Sequence, residues 1–503
     1  MVRGVRRVGG VGVAGTALVA VGSLVTSVVP ASSWVVDVPL TGWMRTSMPG
    51  RMVGLAVVVA GLGLLVRAWL SVGRSVLVDP IAWRHRVNRL AALWAAPLLL
   101  VPPLFSRDAW SYAAQGAMVA RGFDPYSTGP GVLSGPIVEA VDPMWMWTPA
   151  PYGPIPLAYG GLLARLTLDP YVLMLAHRLL AVLGLWLIAI SVPKLAEACR
   201  VNPTVTAWLV VANPLMIAHG IGAAHNDILM IGLACYAVTH AKAGRWGTAA
   251  VLAGAAAAVK LPGGLVVIAI AAVMSPLASR IRTRVASLAI AGVVAVVSLV
   301  TIGELTGVGS GWLSALGVPG MVKSPFSIAN LVGLGTSGVL EWLGLDDAAQ
   351  RAFGVFRLIG MLVTLAVLAT VALRSSVHHA VRAVGIGLLV LVLLGPTAHD
   401  WYFLWCLPFL AVARPGRRVV TLLVGVSVIL TIAAPLNSSL RGALVPIVVT
   451  TSLVLIVLGV LLGKVRTLQP ELTQRQEPQG GTPSPPDAAP PRSTSLAGLA
   501  VPD

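Results

Sequence analysis

The chain has 503 residues, of which 57% are hydrophobic and only 11% are charged, which excludes an ordinary soluble globular domain and predicts a polytopic membrane protein. The net charge of +17 does not indicate nucleic-acid binding, because the basic residues separate apolar segments and form no patch with interleaved aromatics. The three cysteines, Cys199, Cys235 and Cys406, are too scattered to predict a disulfide framework or a metal cluster.

Both ends of the chain differ from its apolar middle. The first 30 residues have a basic start and an apolar run like those of a signal peptide, but the many later spans favour an uncleaved first transmembrane helix. Residues 467–503 are rich in Gln, Pro, Ser and Gly, a composition that cannot bury enough apolar surface to fold. We predict a disordered cytoplasmic tail there.

The apolar segments between these ends predict an all-α polytopic membrane protein with about 12 to 14 transmembrane helices. We divide it into N-terminal helices with a cytoplasmic loop (1–88), a core (89–303), an outer loop (304–349) and C-terminal helices (350–466). The predicted spans lie near residues 11–31, 51–71, 89–105, 170–193, 203–222, 226–241, 246–260, 261–277, 285–303, 350–373, 382–398, 401–413, 418–434 and 442–463.

The charged residues indicate the topology, because cytoplasmic loops carry an excess of Lys and Arg. With the N-terminus inside, this excess is found in every predicted inner loop, and both termini are cytoplasmic. Most carboxylates then lie on the outer side, which places the predicted function there: Asp37, Asp108, Asp124, Glu139, Asp142, Asp169, Asp227, Glu304, Glu341, Asp346, Asp347 and Asp400.

The longest polar and aromatic interruption early in the chain is the outer loop 106–169, which begins Ser-Arg-Asp after an apolar segment. We predict a helix over 109–120, capped by Asp108 or Ser106, and a second short apolar helix near 155–166. Asp108 has two interpretations. It is a helix cap and interface anchor, or it is a general base that accepts a proton from a sugar hydroxyl, and spacing alone does not choose between them.

Three other outer turns carry polar groups. His225, Asn226 and Asp227, preceded by His219, form a tight turn that needs no function; a metal site lacks further ligands, and hydrogen bonds to a sugar or phosphate are favoured over it. Lys260, like Lys323, is either a snorkelling side chain or a cation that holds a lipid phosphate.

Aromatic residues are more numerous near these turns than an interfacial belt requires. His399 and Asp400 precede Trp401 and Tyr402, which fit such a belt, whereas aromatic faces also stack on sugar rings. Arg178, inside a predicted span, requires a partner, for which Asp227 or a bound phosphate is the candidate.

Known nucleotide and hydrolase motifs are missing from the sequence. It has no G-x-x-x-x-G-K-[ST], G-x-G-x-x-G after a strand, H-E-x-x-H or G-x-S-x-G, so nucleotide-driven chemistry, metalloproteolysis and hydrolase-type acyl transfer have no visible site. A donor that already resides in the membrane fits better.

Four segments, in this order, resemble the actinobacterial polyprenol-phosphomannose-dependent α-1,6-mannosyltransferases, which are GT-C glycosyltransferases that build the mannan backbone of lipomannan and lipoarabinomannan. They are SRDAWSYAAQGAMVARGFDPYSTGP (106–130), APYGP (150–154), NPLMIAHGIGAAHND (213–227) and AAVKLPGG (257–264). The resemblance covers most of the membrane region.

The resemblance implies a GT-C fold, in which 89–303 is the core and the active site is at the extracytoplasmic face. The implied donor is polyprenyl monophosphomannose, and the acceptor is a phosphatidylinositol mannoside or lipomannan, with inversion and with neither cofactor nor metal. Asp108 matches the catalytic aspartate. The candidate groups for the donor phosphate are Arg107, Lys260 and Lys323, and those for sugar or acceptor are Tyr112, Asp124, Tyr126, Tyr152, His225, Asn226, Asp227, His399 and Asp400.

Several alternatives stay open. Here the pair is Arg107-Asp108, where many GT-C enzymes have two acids, so a second carboxylate is Asp124, Asp142, Asp227 or none. A transporter or flippase for a lipid-linked sugar would place polar groups at the bilayer midplane and show an internal repeat, and neither is visible. A non-catalytic scaffold and a polyprenyl-phospho-arabinofuranose donor are further alternatives. The sequence does not separate an initiating from an elongating mannosyltransferase.

Overall fold

The computed structural model of the chain describes residues 2–275, 280–321, 324, 326–437, 452 and 456. Within these ranges the secondary structure is helical, and no strand is present. The chain is therefore an all-α polytopic membrane protein, as the apolar composition predicted.

The N-terminal part is built on two long helices, α1 and α4, that pack against each other. Gly15 and Gly61 face one another at this contact, where a Cβ on either glycine would lie within 2.7 Å of the other's carbonyl oxygen. Such small residues let two membrane helices approach at backbone distance. The helices of this part are α1 Val2–Thr26, α2 Trp34–Asp37, α3 Pro39–Thr46, α4 Met48–Val78, α5 Pro80–Trp83 and α6 Arg86–Ala95.

The loop 106–169 contains the two helices predicted for it. The first is α7, Asp108–Ala120; after the one-turn helix α8, Pro136–Glu139, the second is α9, Pro154–Ala164. Helix α7 packs on α9, with Gly116 against Gly160.

The central part contains a break where one span was predicted over 203–222. Helix α10, Pro170–Ala198, is followed by α11, Pro203–Val210, a π-helix, Met216–Gly222, and α12, Asp227–Lys242. The axis bends by 112° between the π-helix and α12. Pro214 supplies no N–H to continue α11, and the Asn213 carboxamide replaces helical bonds by accepting from the Leu215 N–H at 2.9 Å and donating to the Leu209 carbonyl at 2.9 Å.

The remaining helices complete the bundle around this centre. Short 3₁₀ segments, Leu261–Val266, Gly311–Met321 and Asp400–Tyr402, lie between them. The helices are α13 Trp246–Ala257, α14 Val267–Met274, α15 Ile281–Leu305, α16 Ile328–Trp342, α17 Asp346–Arg374, α18 Ala380–Leu394, α19 Phe403–Val412 and α20 Arg417–Ala433.

Fewer helices than predicted can cross a membrane alone. In the described residues five are long and apolar enough, or six if the bent pair counts as one span. Other predicted spans correspond to shorter apolar helices, such as α13 and α19, which by length alone do not cross a membrane. Residues 89–105 are also not one span, since helix ends at Leu98 and two prolines follow. The predicted span 442–463, apart from positions 452 and 456, and the tail 467–503 lie outside the described residues.

The partner predicted for Arg178 was wrong. Its guanidinium donates to four backbone carbonyls, those of Leu99, Val101, Ile221 and Gly222, at 2.7 to 3.2 Å. Both groups of carbonyls lack helical partners, because helix ends before Leu99 and the π-helix ends at Gly222. Arg178 therefore joins two chain breaks, and Asp227 binds another cation.

Candidate active site

Asp108 is the first residue of α7 and enters the site from a strained turn. Phe105 has a φ of +60°, a left-handed conformation rare for an aromatic residue, and the Leu104 N–H donates to the Gly222 carbonyl at 3.1 Å. The Ser106 hydroxyl accepts from the Asp108 N–H at 3.1 Å. Ser106 thus supplies the capping contact, and the Asp108 carboxylate is left for another role, with 15% of its side chain exposed.

His225 faces this carboxylate from a second strained turn. Its Nδ1 lies 3.6 Å from Asp108 Oδ2, and its side chain is fully buried. The preceding residue, Ala224, has a φ of +57°. One left-handed residue thus lies three positions before Asp108 and another directly before His225, as is common where a functional geometry is imposed on the backbone.

An aromatic stack continues from His225 into the 3₁₀ turn Asp400–Tyr402. The Trp401 ring is stacked between His225, at a centroid distance of 4.0 Å, and His399, at 4.4 Å. Next to this stack, His219 Nε2 lies 3.3 Å from Asp400 Oδ2, and both side chains are buried. The turn at His225 and the turn at Asp400, far apart in sequence, therefore form one wall of the site.

Lys260 and Asp227 form a buried ion pair in this wall, with Nζ 2.9 Å from Oδ1. The same carboxylate oxygen accepts from the Trp405 indole N–H at 2.7 Å, and Lys260 donates to the Tyr402 hydroxyl at 3.1 Å. An ammonium group has three N–H donors, so these bonds leave one for a ligand. The ammonium also lies over the rings of Tyr402 and Trp405, at 4.4 and 5.2 Å from their centroids.

The segment 150–154 and the residue after it are hydrogen-bonded through their backbone to the turn that carries Lys260. The Gly153 N–H donates to the Val259 carbonyl at 3.0 Å, and the Ile155 N–H donates to the Ala258 carbonyl at 2.9 Å. This pairing places the Tyr152 ring 5.6 Å from the Lys260 ammonium. Tyr112, from α7, meets Tyr152 edge to face at 5.0 Å and so connects α7 to the same wall.

The surroundings of Asp108 bring the pKa of its carboxyl close to neutral pH. Burial raises the pKa of Asp108 to about 7; the Lys260 ammonium and the Ser106 side chain oppose this shift, and the Asp227 and Asp142 carboxylates add to it. A carboxylate with such a pKa is a much stronger base than an ordinary aspartate, and about half of it is ionised at pH 7.

The structure thus brings Asp108, Tyr112, Tyr152, His225, Asp227, Lys260, His399 and Asp400 together. Asn226 lies in the same turn, fully buried, with no partner for its carboxamide in the described residues. Arg107, the N-cap residue of α7, is half-buried; its carbonyl accepts from the Trp110 N–H, and its side chain has no hydrogen bond or ion pair within the described chain.

Other predicted site residues lie elsewhere. Asp124 is exposed, and its carboxylate accepts from the Tyr126 N–H at 2.9 Å, which makes it a turn residue. Tyr126 is buried against Gly311. Lys323 lies outside the described residues. In the described ranges, no group of three or more His, Cys, Asp or Glu side chains is placed to hold a metal ion.

The sequence analysis did not identify Trp405 as a site residue, and it assigned Tyr402 only to an interfacial aromatic belt. Tyr402 and Trp405 are three residues apart, so they share one face at the start of α19, and their rings stack at 4.0 Å. That spacing next to Asp400 was the available signal.

Comparison with known proteins identifies this arrangement. A family model described as alpha-(1->6)-mannopyranosyltransferase, N-terminal domain, matches residues 9–278, which include every residue named above up to Lys260. The chain belongs to the alpha-(1->6)-mannopyranosyltransferase family. A second model, the MptB C-terminal domain, matches residues 329–463.

Relatives of this mannosyltransferase extend over nearly the whole chain. It is 32% identical to a probable alpha-(1->6)-mannopyranosyltransferase of Mycolicibacterium smegmatis over 97% of this chain and 91% of the relative. It is 31% identical to an alpha-(1->6)-mannopyranosyltransferase of Mycobacterium tuberculosis, over 91% of this chain and 87% of the relative. It is also 31% identical to alpha-(1->6)-mannopyranosyltransferase B of Corynebacterium glutamicum, over 80% of this chain and 72% of the relative. No solved structure matches the chain.

Family membership settles the class of the protein. It is a multi-pass membrane mannosyltransferase that uses a mannose donor and a glycolipid acceptor. The transporter and scaffold alternatives do not agree with these relatives, and the relatives are named for mannopyranose and not for arabinofuranose.

Proposed function

We propose that the enzyme transfers mannose from a polyprenyl monophosphomannose donor to a phosphatidylinositol mannoside or lipomannan acceptor, forming an α-1,6 linkage at the extracytoplasmic face. The observation that carries this proposal is the Asp108 carboxylate: it is partly open to a ligand, while His225 and Asp227 around it are closed off. A reacting hydroxyl can reach Asp108, and the buried groups fix the surroundings.

The proposed reaction is a single displacement. Asp108 takes the proton of the acceptor's 6-hydroxyl as its oxygen attacks C1 of the β-linked mannosyl phosphate from the opposite face. The bond between C1 and the phosphate oxygen breaks, and its electron pair remains on the phosphate. The products are an α-mannoside and polyprenyl phosphate, with the proton on Asp108.

The leaving phosphate gains a negative charge in this step, so a cation close to it lowers the barrier. Lys260 retains one N–H donor beyond its bonds to Asp227 and Tyr402. Arg107 is adjacent to Asp108 in sequence, and no carboxylate in the described chain pairs with its side chain. We assign both to the phosphate, without a metal ion. Lys323, predicted for the same role, remains a candidate.

The sugars would lie against the aromatic wall. The half-buried His399 ring, which stacks on Trp401, offers a face of the kind that binds the apolar face of a pyranose, and the buried rings of Tyr112 and Tyr152 belong to the same wall. His225, Asn226 and Asp400 supply polar atoms beside them.

The test uses Asp108→Asn and Asp108→Ala proteins in membranes supplied with polyprenyl phosphomannose and a synthetic α-1,6-dimannoside. Removal of a general base costs on the order of 100-fold to 10,000-fold in rate, so we expect chain extension to fall at least about 100-fold with protein levels unchanged. Glu139→Gln is the matched control, because Glu139 is an exposed carboxylate of the same loop whose bond from the Ala31 N–H a glutamine preserves.

Near-normal extension by both Asp108 variants would remove this residue from the mechanism. Extension driven by GDP-mannose in membranes that lack polyprenyl phosphate would remove the donor assignment.

A further inference from the structure

A second polar cavity lies at the end of the bundle remote from Asp108. It has a volume of about 400 Å³ and contains no carboxylate among its lining residues. Five of them are basic or titratable as bases: Lys242, His378, His379, Arg382 and Arg414. We propose that this cavity binds a phosphate-bearing anion, most simply the head group of an anionic membrane lipid, at a site separate from the transferase centre.

The helices themselves separate the two sites. Helix α12 begins at Asp227, in the transferase site, and ends at Lys242, in the basic cavity. Its 16 residues make a helix about 24 Å long. Helix α19 likewise begins after Tyr402 and is followed by Arg414, and α18 begins next to His379 and leads towards His399. Three helices thus contribute to the acidic and aromatic site at one end and to the basic cavity at the other.

Lys242 and Arg414 are held by backbone carbonyls, and among the described residues no carboxylate pairs with either of them. Lys242 Nζ donates to the Val377 carbonyl at 3.2 Å, and Arg414 Nε donates to the Cys199 carbonyl at 2.7 Å. Arg414 adopts a φ of +53°, which is rare for a residue with a side chain. These bonds to carbonyls orient the side chains but leave their charges uncompensated, which an anion would correct.

The position of Arg382 is not explained by stabilisation of its own helix. It lies in the first turn of α18, Ala380–Leu394, where the helix macrodipole favours a negative charge and opposes a positive one. Together with the N-terminal N–H groups of α18, Arg382 makes the potential in the cavity more positive. An ion at this position would be stabilised by the helix and by the guanidinium.

A smaller neighbouring cavity, of about 230 Å³, shares His379 and extends the surface. It is lined by Arg374, Ser375 and Ser376 among others, and the Ser376 hydroxyl lies 2.9 Å from His379 Nδ1. Hydroxyl donors beside cations are the combination that phosphate oxygens accept. Basic pockets between membrane helices are known to receive lipid head groups.

The test measures lipid retention by the full-length protein in detergent, using native mass spectrometry after addition of phosphatidylglycerol or phosphatidylcholine. The cavity variant is Lys242→Gln, Arg382→Gln and Arg414→Gln combined. The matched control is Lys194→Gln, Arg245→Gln and Arg418→Gln, which removes the same charge from exposed positions outside the cavity lining. Each cation near a lipid surface contributes about fivefold to binding, so we expect the cavity variant to lose at least about tenfold of phosphatidylglycerol retention and the control to keep it.

Glycerol 1-phosphate at millimolar concentration distinguishes the two sources of the anion. If it displaces phosphatidylglycerol from the wild type and from the control variant, both of which keep the cavity, the cavity accepts the free phosphate as well. If it does not, the site requires the lipid. Equal losses in both triple variants, or equal retention of phosphatidylglycerol and phosphatidylcholine, would overturn the proposal. Because the measurement is binding, its outcome does not depend on the transfer reaction.

Discussion

Accessibility divides the ionisable residues of the transferase site into two groups. Asp227, His219 and His225 are closed to solvent, and each has a neighbour of complementary charge or polarity within 3.6 Å. Asp108 alone among the described carboxylates that contact this cluster keeps a partly exposed side chain. This separation suits a reaction in which one carboxylate changes protonation and the others keep it in position.

The pH dependence of transfer follows from the environment of Asp108. Burial raises the pKa of this carboxyl to about 7, so it becomes protonated, and unable to accept the acceptor's proton, as the pH falls below 7. We expect kcat/KM to decrease about tenfold per pH unit below that point and to level off above it. Initial rates with a saturating lipid donor from pH 5 to 9 measure this acidic limb.

Asp142→Asn tests the electrostatic origin of the limb. The Asp142 carboxylate is one of the charges that raise the pKa of Asp108, so its removal lowers that pKa and moves the midpoint to lower pH. The Asn side chain retains the oxygen that accepts from the Met144 N–H. Glu139→Gln serves again as the control and leaves the midpoint in place. A midpoint that moves to higher pH in Asp142→Asn contradicts this assignment.

Variants of the Lys260 and Asp227 ion pair separate the effect of this pair on stability from the effect of Lys260 on transfer. Removing one partner of a buried ion pair leaves an unpaired charge and costs about 3–5 kcal/mol of stability, so Lys260→Met and Asp227→Asn should each unfold at clearly lower temperature. The double variant removes both charges of the pair and should recover most of that loss. Thermal unfolding of the purified proteins in detergent measures both effects.

Activity should behave differently in the same set of variants. If Lys260 binds the leaving phosphate, the double variant remains inactive although it is stable. Recovery of transfer together with stability would show that Lys260 serves only to neutralise Asp227.

At the level of elements, the site depends on contacts between breaks in helices. Asp108 follows the non-helical stretch after Leu98, His225 follows the π-helix Met216–Gly222, and Asp400 follows the end of α18. Arg178 connects the first two breaks through its four carbonyl bonds. Non-helical backbone inside a membrane protein is tolerated where other protein groups form its missing hydrogen bonds. The side chains around the site form such bonds, so the helix breaks depend on the packing of the site.

Gly153→Ala tests the attachment of segment 150–154 to the Lys260 turn. Gly153 has a φ of −74°, which alanine also adopts, but a Cβ there would collide with the Ala258 carbonyl. We expect a loss of about 1–3 kcal/mol and reduced transfer, because Tyr152 moves away from Lys260. Gly247→Ala is the control, since its Cβ enters open space in α13 and should be neutral or slightly stabilising. Thermal unfolding and initial rates distinguish the two variants.

The sequence predicted the helices that are determined by neighbouring residues. It did not predict features that depend on contacts between distant parts of the chain. Uninterrupted apolar stretches indicated α10, α15 and α17, and the alternation of turn residues and apolar residues indicated α7 and α9. The break at Pro214 was missed, because the Asn213 carboxamide that stabilises it also donates to the Ser427 hydroxyl, 214 residues further along the chain.

The candidate site shows the same limit. The outer turns could be grouped by charge, but the sequence does not state that His225 stacks on Trp401 or that Trp405 binds Asp227. These contacts join residues more than 170 positions apart.

For the whole molecule, the distribution of charge along the bundle axis supports one orientation. Asp108 begins α7, Asp227 begins α12 and Asp400 lies just before α19. Lys242 ends α12, Arg414 follows α19, and Arg382 lies in the first turn of α18, at the end remote from His399. The excess of Lys and Arg marks the cytoplasmic side of a membrane protein. This distribution supports the proposal that the transferase site is extracytoplasmic and the basic cavity cytoplasmic.

Cysteine labelling in intact cells tests this orientation. The three native cysteines are buried, so background labelling by a membrane-impermeant maleimide should be low. Ser134→Cys, exposed in the loop between α7 and α9, should be labelled in intact cells, whereas Ala243→Cys, exposed just after α12, should be labelled only after lysis. The opposite pattern would put Asp108 on the cytoplasmic side and would exclude an acceptor on the outer leaflet. Both variants should retain transfer, because neither position contacts the site, and this activity confirms that the labelled protein is folded.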